Sequence, residues 1–136
     1  MDTTFEFDFD AKFMAPLVAF GATPMSSGVT LTDDGRLIAR FGFTTIETEV
    51  SNITGIELSG PYRALKAIGI RLSLTDRGLT FGSNTREGVC IKFATPVTAS
   101  PPWGTIKHPG LTLTLKDRDH FAAVITALLD ETETTR

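Results

Sequence analysis

Few side chains in this 136-residue chain are of types that do chemistry. It holds one cysteine, Cys90, and two histidines, His108 and His120. Zinc takes about four ligands at once, so a site would have to gather all three with a carboxylate such as Asp119. His120 reads more simply as a polar residue of a first helical turn, and His108 as a loop residue beside Pro109. A nucleophilic Cys90 would need an adjacent base and a lowered pKa. It alternates with apolar residues in a strand-like run and reads as a small packed residue. Glu6, Asp8 and Asp10 could pair as acid and base, but their alternation with Phe5, Phe7 and Phe9 describes a solvated strand face. Gly35, Gly42, Gly55 and Gly60 are spaced for turns, not for a phosphate loop. No serine stands in a Gly-x-Ser-x-Gly setting. The expectation is a protein that is not an enzyme and uses no metal or other cofactor.

Binding chemistry is better supplied. Gly60-Pro61-Tyr62-Arg63-Ala64-Leu65-Lys66-Ala67-Ile68-Gly69 contains the only tyrosine and two bases. It reads either as a connecting turn whose apolar residues dock on the fold, or as an exposed basic and aromatic element gripping an anionic group. The only tryptophan, Trp103, lies in a proline-rich stretch close to Lys107. A tryptophan on a loop makes a contact site when exposed and an anchor when buried. The candidate binding residues are therefore Tyr62, Arg63, Lys66, Trp103 and Lys107.

The elements that must position these residues are mostly strands. Ile46, Thr48 and Val50 alternate with Glu47 and Glu49, and Ile70, Leu72 and Leu74 with Arg71, Ser73 and Thr75. Val89, Ile91 and Phe93 form another such run, as do Leu111, Leu113 and Leu115. Asp33-Asp34-Gly35 and Asp76-Arg77-Gly78 are hairpin turns, and residues 82–88 form a longer polar connection. Hairpins this short join antiparallel neighbours, so the expected sheet is mainly an antiparallel meander. The period changes once. After the N-cap Asp117, Phe121, Val124, Ile125, Leu128 and Leu129 form one apolar stripe, predicting a helix over about 117–131 that packs on the sheet. Residues 12–27 predict a strand broken by a loop, and residues 95–110 an irregular loop. The expectation is one domain over residues 1–131 with a frayed tail, 132–136.

Charge is uneven. Residues 1–59 carry nine acids against Lys12, Arg36 and Arg40, whereas residues 60–110 carry seven bases against Asp76 and Glu87. Folding either interleaves these signs or leaves a basic face. The dispersed bases and a pI near 5.3 argue against nucleic acid. Acids at the N-terminus, a single cysteine and the absence of an apolar run of roughly 20 residues predict a cytoplasmic protein.

Gly35-Arg36-Leu37-Ile38-Ala39-Arg40-Phe41-Gly42, then Ile46 to Val50, then Ser51-Asn52-Ile53-Thr54-Gly55-Ile56 give two strands and an Asn-Ile step into a third. Lys107-His108-Pro109-Gly110-Leu111-Thr112-Leu113-Thr114-Leu115 then feeds the helix from Asp117 to Leu129. Over about residues 5–129 this order resembles the pleckstrin-homology-like (PH-like) domains of uncharacterised bacterial proteins. The resemblance implies a mainly β fold, an antiparallel β-roll or barrel capped by one C-terminal helix, and a binding scaffold. Lipid-binding members grip inositol phosphates with bases after the first strand. Here that region offers Lys12 beside Glu6, Asp8 and Asp10, so no lipid-site residues carry over. The expected partner is a protein, with a peripheral anionic membrane as the second choice and self-association across an exposed edge strand as a third. The alternative function is a β-roll whose ten phenylalanines line an internal pocket for a small apolar ligand or substrate.

Overall fold

The computed structural model describes residues 2–62, 68–72, 77–100 and 106–134, with side chains as far as Asp130. Four strands, β1 (Thr3–Phe5), β2 (Ser27–Leu31), β3 (Arg36–Phe41) and β4 (Thr44–Glu49), form an antiparallel sheet in that order. Alternation decides its faces. Phe5, Val29, Leu31, Leu37, Ala39, Phe41 and Ile46 point inward and are buried, while Thr4, Arg40, Glu47 and Glu49 face out. The second sheet holds β5 (Ile53–Ser59), β6 (Gly69–Leu72), β7 (Leu79–Gly82), β8 (Gly88–Thr98) and β9 (Lys107–Leu113), in the order β5-β8-β9-β7-β6.

Two corners join the sheets. Phe7 bridges Leu115, flanked by hydrogen bonds from Asp8 N–H to the Thr114 carbonyl (2.9 Å) and from Lys116 N–H to that of Glu6 (2.9 Å). Ile46 bridges Ala99, and Ser100 N–H donates to the Thr45 carbonyl (2.8 Å). Between the sheets, Phe41 packs on Phe7 (centroids 4.9 Å apart) and stacks on Phe81 (5.4 Å) and Phe9 (6.0 Å). Phe5 meets Phe121 edge-on at 5.1 Å. Such offset and edge-on pairs are the favoured geometries for aromatic rings.

Phe121 belongs to α2 (Arg118–Thr134), the expected closing helix. Asp117 caps it, accepting from His120 N–H at 3.1 Å. Phe121 and Ile125 are fully buried, and Val124, Leu128 and Leu129 pack partly against the same core. The helix continues through Thr134, past the expected start of a frayed tail.

Three expectations need correction. The second sheet is not a pure antiparallel meander, because β7 and β9 run parallel. Residues 83–87 carry the chain past a strand-wide gap between β7 and β8, and β9 fills it. Residues 12–27 are not a broken strand. They form two 3-10 turns, Ala11–Phe13 and Pro24–Ser26, and a short helix α1 (Met14–Val18) that buries Leu17. Residues 95–110 are less irregular than expected, since β8 extends to Thr98 and β9 begins at Lys107. His108 is accordingly no loop residue. It is fully buried, and its Nδ1 lies 2.7 Å from the Arg77 carbonyl.

Candidate interaction surface

The charge asymmetry of the sequence maps onto the fold. The acidic half supplies all four strands of the first sheet together with β5, and the basic half supplies β6 to β9. Some bases are used internally. Arg86 pairs with Asp8 (2.7 Å) and Asp10 (3.2 Å), linking the corner where β1 meets the β7–β8 connection. Among the described residues, Arg40, Arg71, Arg77, Lys92 and Lys107 pair with no carboxylate, and all five are exposed.

Of the five candidate binding residues, Arg63, Lys66 and Trp103 lie outside the described residues. Tyr62 is half-buried and held on every side. Its N–H donates to the Thr85 carbonyl (2.8 Å), and its hydroxyl shares a hydrogen bond with Ser59 Oγ. The phenol oxygen lies so close over Gly88 that a Cβ there would stand 2.6 Å from it. Arg118 closes this corner, donating to the carbonyls of Ser59 (2.6 Å) and Gly88 (3.3 Å) and pairing with Glu87 (3.2 Å). Tyr62 is thus a strut between β5, β8 and the start of α2. Lys107 stands exposed at the far end of β9. Tyr62 lies near Leu113, six residues on, or about 20 Å at strand rise. The two candidates do not share one contact site.

Burial raises the Tyr62 phenol above its usual pKa of 10.0. The Ser59 hydrogen bond and Arg118 oppose the shift, while Cys90 and Glu87 add to it. Above pH 10 the unfolded chain releases a phenolic proton that the folded chain keeps, so stability falls as pH rises through that range. Tyr62 is the only tyrosine, so phenolate absorbance reports it alone. A folded-state midpoint above 10.0 is expected. A midpoint at or below 10.0 would show that the phenol is solvated.

A surface that the sequence reading missed lies at the β3–β4 turn. Phe43 is 77 % exposed, Met25 93 % and Val18 55 %. They converge on Gly21. The Phe43 ring lies over Gly21, and Phe43 N–H donates to the Phe20 carbonyl at 3.2 Å. Ser26 Oγ, beside Met25, donates to the Gly21 carbonyl (2.6 Å), and Val18 accepts from Gly21 N–H (2.8 Å). Alternation hid Phe43, which shares parity with the buried Phe41. Phe41 pairs with Thr44, leaving a two-residue loop of Gly42 and Phe43 that turns the second ring out.

The sequence stretches that meet at this end contain no acid, although Asp10, just before the first of them, pairs with Lys12 at 4.0 Å. Residues 11–32, 37–46 and 88–116 hold none of the chain's 16 acids, although they carry Lys12, Arg40, Lys92, Lys107 and Lys116. The first two stretches build the turns around Gly21. The third reaches this end at Ser100, whose Oγ accepts from Thr45 N–H (2.9 Å). No protein-family model, curated protein or solved structure matches the chain.

Proposed function

We propose that this chain is a non-catalytic interaction module on a PH-like roll, and that its Phe43 end rests on an anionic lipid surface. Two sheets joined at two corners and closed by a C-terminal helix support the roll. Exposed Phe43, Met25 and Val18, on turns built from stretches that contain no acid, carry the choice of partner. Each large apolar side chain leaving water is worth about 1.5–3 kcal/mol, and each base near an anionic bilayer about 1 kcal/mol. Arg40, exposed and without a carboxylate partner among the described residues, precedes the Phe43 turn, while Lys12 is paired with Asp10 at 4.0 Å, so the sum gives weak, reversible attachment, not insertion across the membrane. No helix among the described residues is long and apolar enough to cross one.

Sedimentation with vesicles tests this reading. The protein is expected to bind mixed phosphatidylcholine–phosphatidylserine vesicles, to ignore pure phosphatidylcholine, and to dissociate as salt rises. Phe43→Ser forfeits about 2 kcal/mol of transfer, a loss of roughly thirtyfold in affinity, with an unchanged unfolding temperature because the ring is exposed. No binding to either vesicle, or equal binding by the variant, overturns the lipid reading and leaves a protein surface as the partner.

A further inference from the structure

The outer face of the second sheet carries a different feature. The strand registers align Glu57, Cys90, Thr112, Thr80 and Arg71 in one row across five strands. In the next row Gly55 and Gly110 stand on either side of Lys92, and Gly78 lies just beyond Gly110. With glycines around it, the Lys92 stem stands alone above bare backbone. The result is an open groove of about 340 Å³ lined by Gly78, Leu79, Thr80, Cys90, Lys92, Pro109, Gly110 and Thr112.

Three side-chain donors of this groove are unspent. Among the described residues, neither the Thr80 nor the Thr112 hydroxyl has a hydrogen-bond partner, and Lys92 has no carboxylate. Among the described residues no acid lines the groove. Glu57 of the adjoining row stands diagonally from Lys92 without forming an ion pair with it, and Cys90 separates it from Thr112. Arg71 turns back to donate to the Ile68 carbonyl (2.7 Å), so Lys92 is the cation that serves the site. One ammonium and two hydroxyls converging without a competing acid suit a tetrahedral oxyanion. The space exceeds what an inorganic ion fills, and the part-exposed Pro109 offers apolar contact to an organic body, while the Leu79 side chain is buried in the core beneath.

We propose that this groove binds the phosphate of a phosphomonoester, with Lys92 as the charge partner and Thr80 and Thr112 as donors. The site is separate from the Phe43 end and does not rest on the lipid reading. It is tested by amide NMR titration of the folded chain with phenyl phosphate, with phenol as control, at constant ionic strength. Saturable shifts are expected at Thr80, Cys90, Lys92, Gly110 and Thr112 with phenyl phosphate only. Lys92→Ala should weaken binding about tenfold and Thr112→Val several-fold, while Lys92→Arg keeps most of it. All three changes sit on the exposed face and leave the core untouched. A parallel arm adds vesicles containing phosphatidic acid to Phe43→Ser protein, so that the apolar end does not contribute. Response to phenyl phosphate supports a soluble ligand, and response only to phosphatidic acid supports a lipid headgroup. Equal shifts at Lys12, Lys107 and Lys116, undiminished binding by Lys92→Ala, or no response in either arm overturns the site.

Discussion

Replacing Gly42 with alanine is expected to cost about 3–5 kcal/mol of stability, among the largest effects any single methyl group could have here. Two costs combine. Gly42 has φ +62, a left-handed conformation that costs a residue with a Cβ about 1 kcal/mol relative to glycine. The added Cβ would also stand 2.2 Å from the Phe20 carbonyl oxygen, 2.7 Å from Gly21 C and 2.8 Å from Ala22 N. All three are backbone atoms, so no rotamer change relieves the clash. The hairpin and residues 20–22 must part, breaking the bond from Phe43 N–H to the Phe20 carbonyl and loosening Leu17 and Ala22, both fully buried. Gly35→Ala is the control. Gly35 has φ +84 but nothing within 4 Å of its added Cβ, so it pays only the conformational cost of about 1 kcal/mol. Urea denaturation of the pair separates strain from contact. Equal losses would mean that the hairpin does not seat on residues 20–22 as described. Because Phe43 and Gly21 meet at this seam, Gly42→Ala should also weaken vesicle binding, unlike Gly35→Ala.

The seam also marks where the sequence stops being readable. Strands with one wet face announce themselves by period two, and β3, β4 and the Val89–Ala94 part of β8 follow their patterns residue by residue. The closing helix was equally legible, because Asp117 and the Phe121–Ile125 stripe state cap and face together. The parallel pairing of β7 with β9 was not, since no local pattern says which strand fills a gap that two others leave open. Residues 12–27 were misread for a different reason. Pro16, Gly21 and Pro24 suggest a broken strand, whereas the structure is set by two local caps. Asp10 accepts from Lys12 N–H (3.3 Å), and Thr23 and Ser26 cap each other reciprocally. The contact surface follows the same division. Tyr62, the chain's only tyrosine, looked like a contact residue and turned out to be a strut. Phe43 shares the parity of the buried Phe41, yet the two-residue loop leaves it exposed.

A second large loss is expected from Asn84→Ala, about 3 kcal/mol, and its origin is the polar connection between β7 and β8. By composition residues 82–88 resemble a surface loop, yet Ser83 and Asn84 are fully buried. The Asn84 amide does three things. Its Nδ2 donates to the Asp8 carbonyl (2.7 Å), and its Oδ1 accepts from the N–H groups of Arg86 (2.9 Å) and Glu87 (3.2 Å). Alanine leaves those two N–H groups without an acceptor, at about 1–3 kcal/mol each where water does not reach them. The Asp8 carbonyl keeps Ser83 Oγ at 2.8 Å, so it is not orphaned, and because Arg86 is exposed and Glu87 only part-buried the two losses together stay towards the lower end, about 3 kcal/mol. The informative comparison is Arg86→Ala. Its ion pairs with Asp8 and Asp10 span the same corner, and they raise the Arg86 pKa chiefly through the Asp8 hydrogen bond. The Arg86 side chain is 52 % exposed, however, and solvent-screened pairs contribute about 0.5 kcal/mol. Denaturation of the two variants should therefore rank the uncharged amide well above the guanidinium. The reverse order would place the hold on β1 in the surface charges and leave Asn84 as filler. Added salt gives a second reading of the same contrast: it should erode the Arg86 contribution and leave that of Asn84 intact.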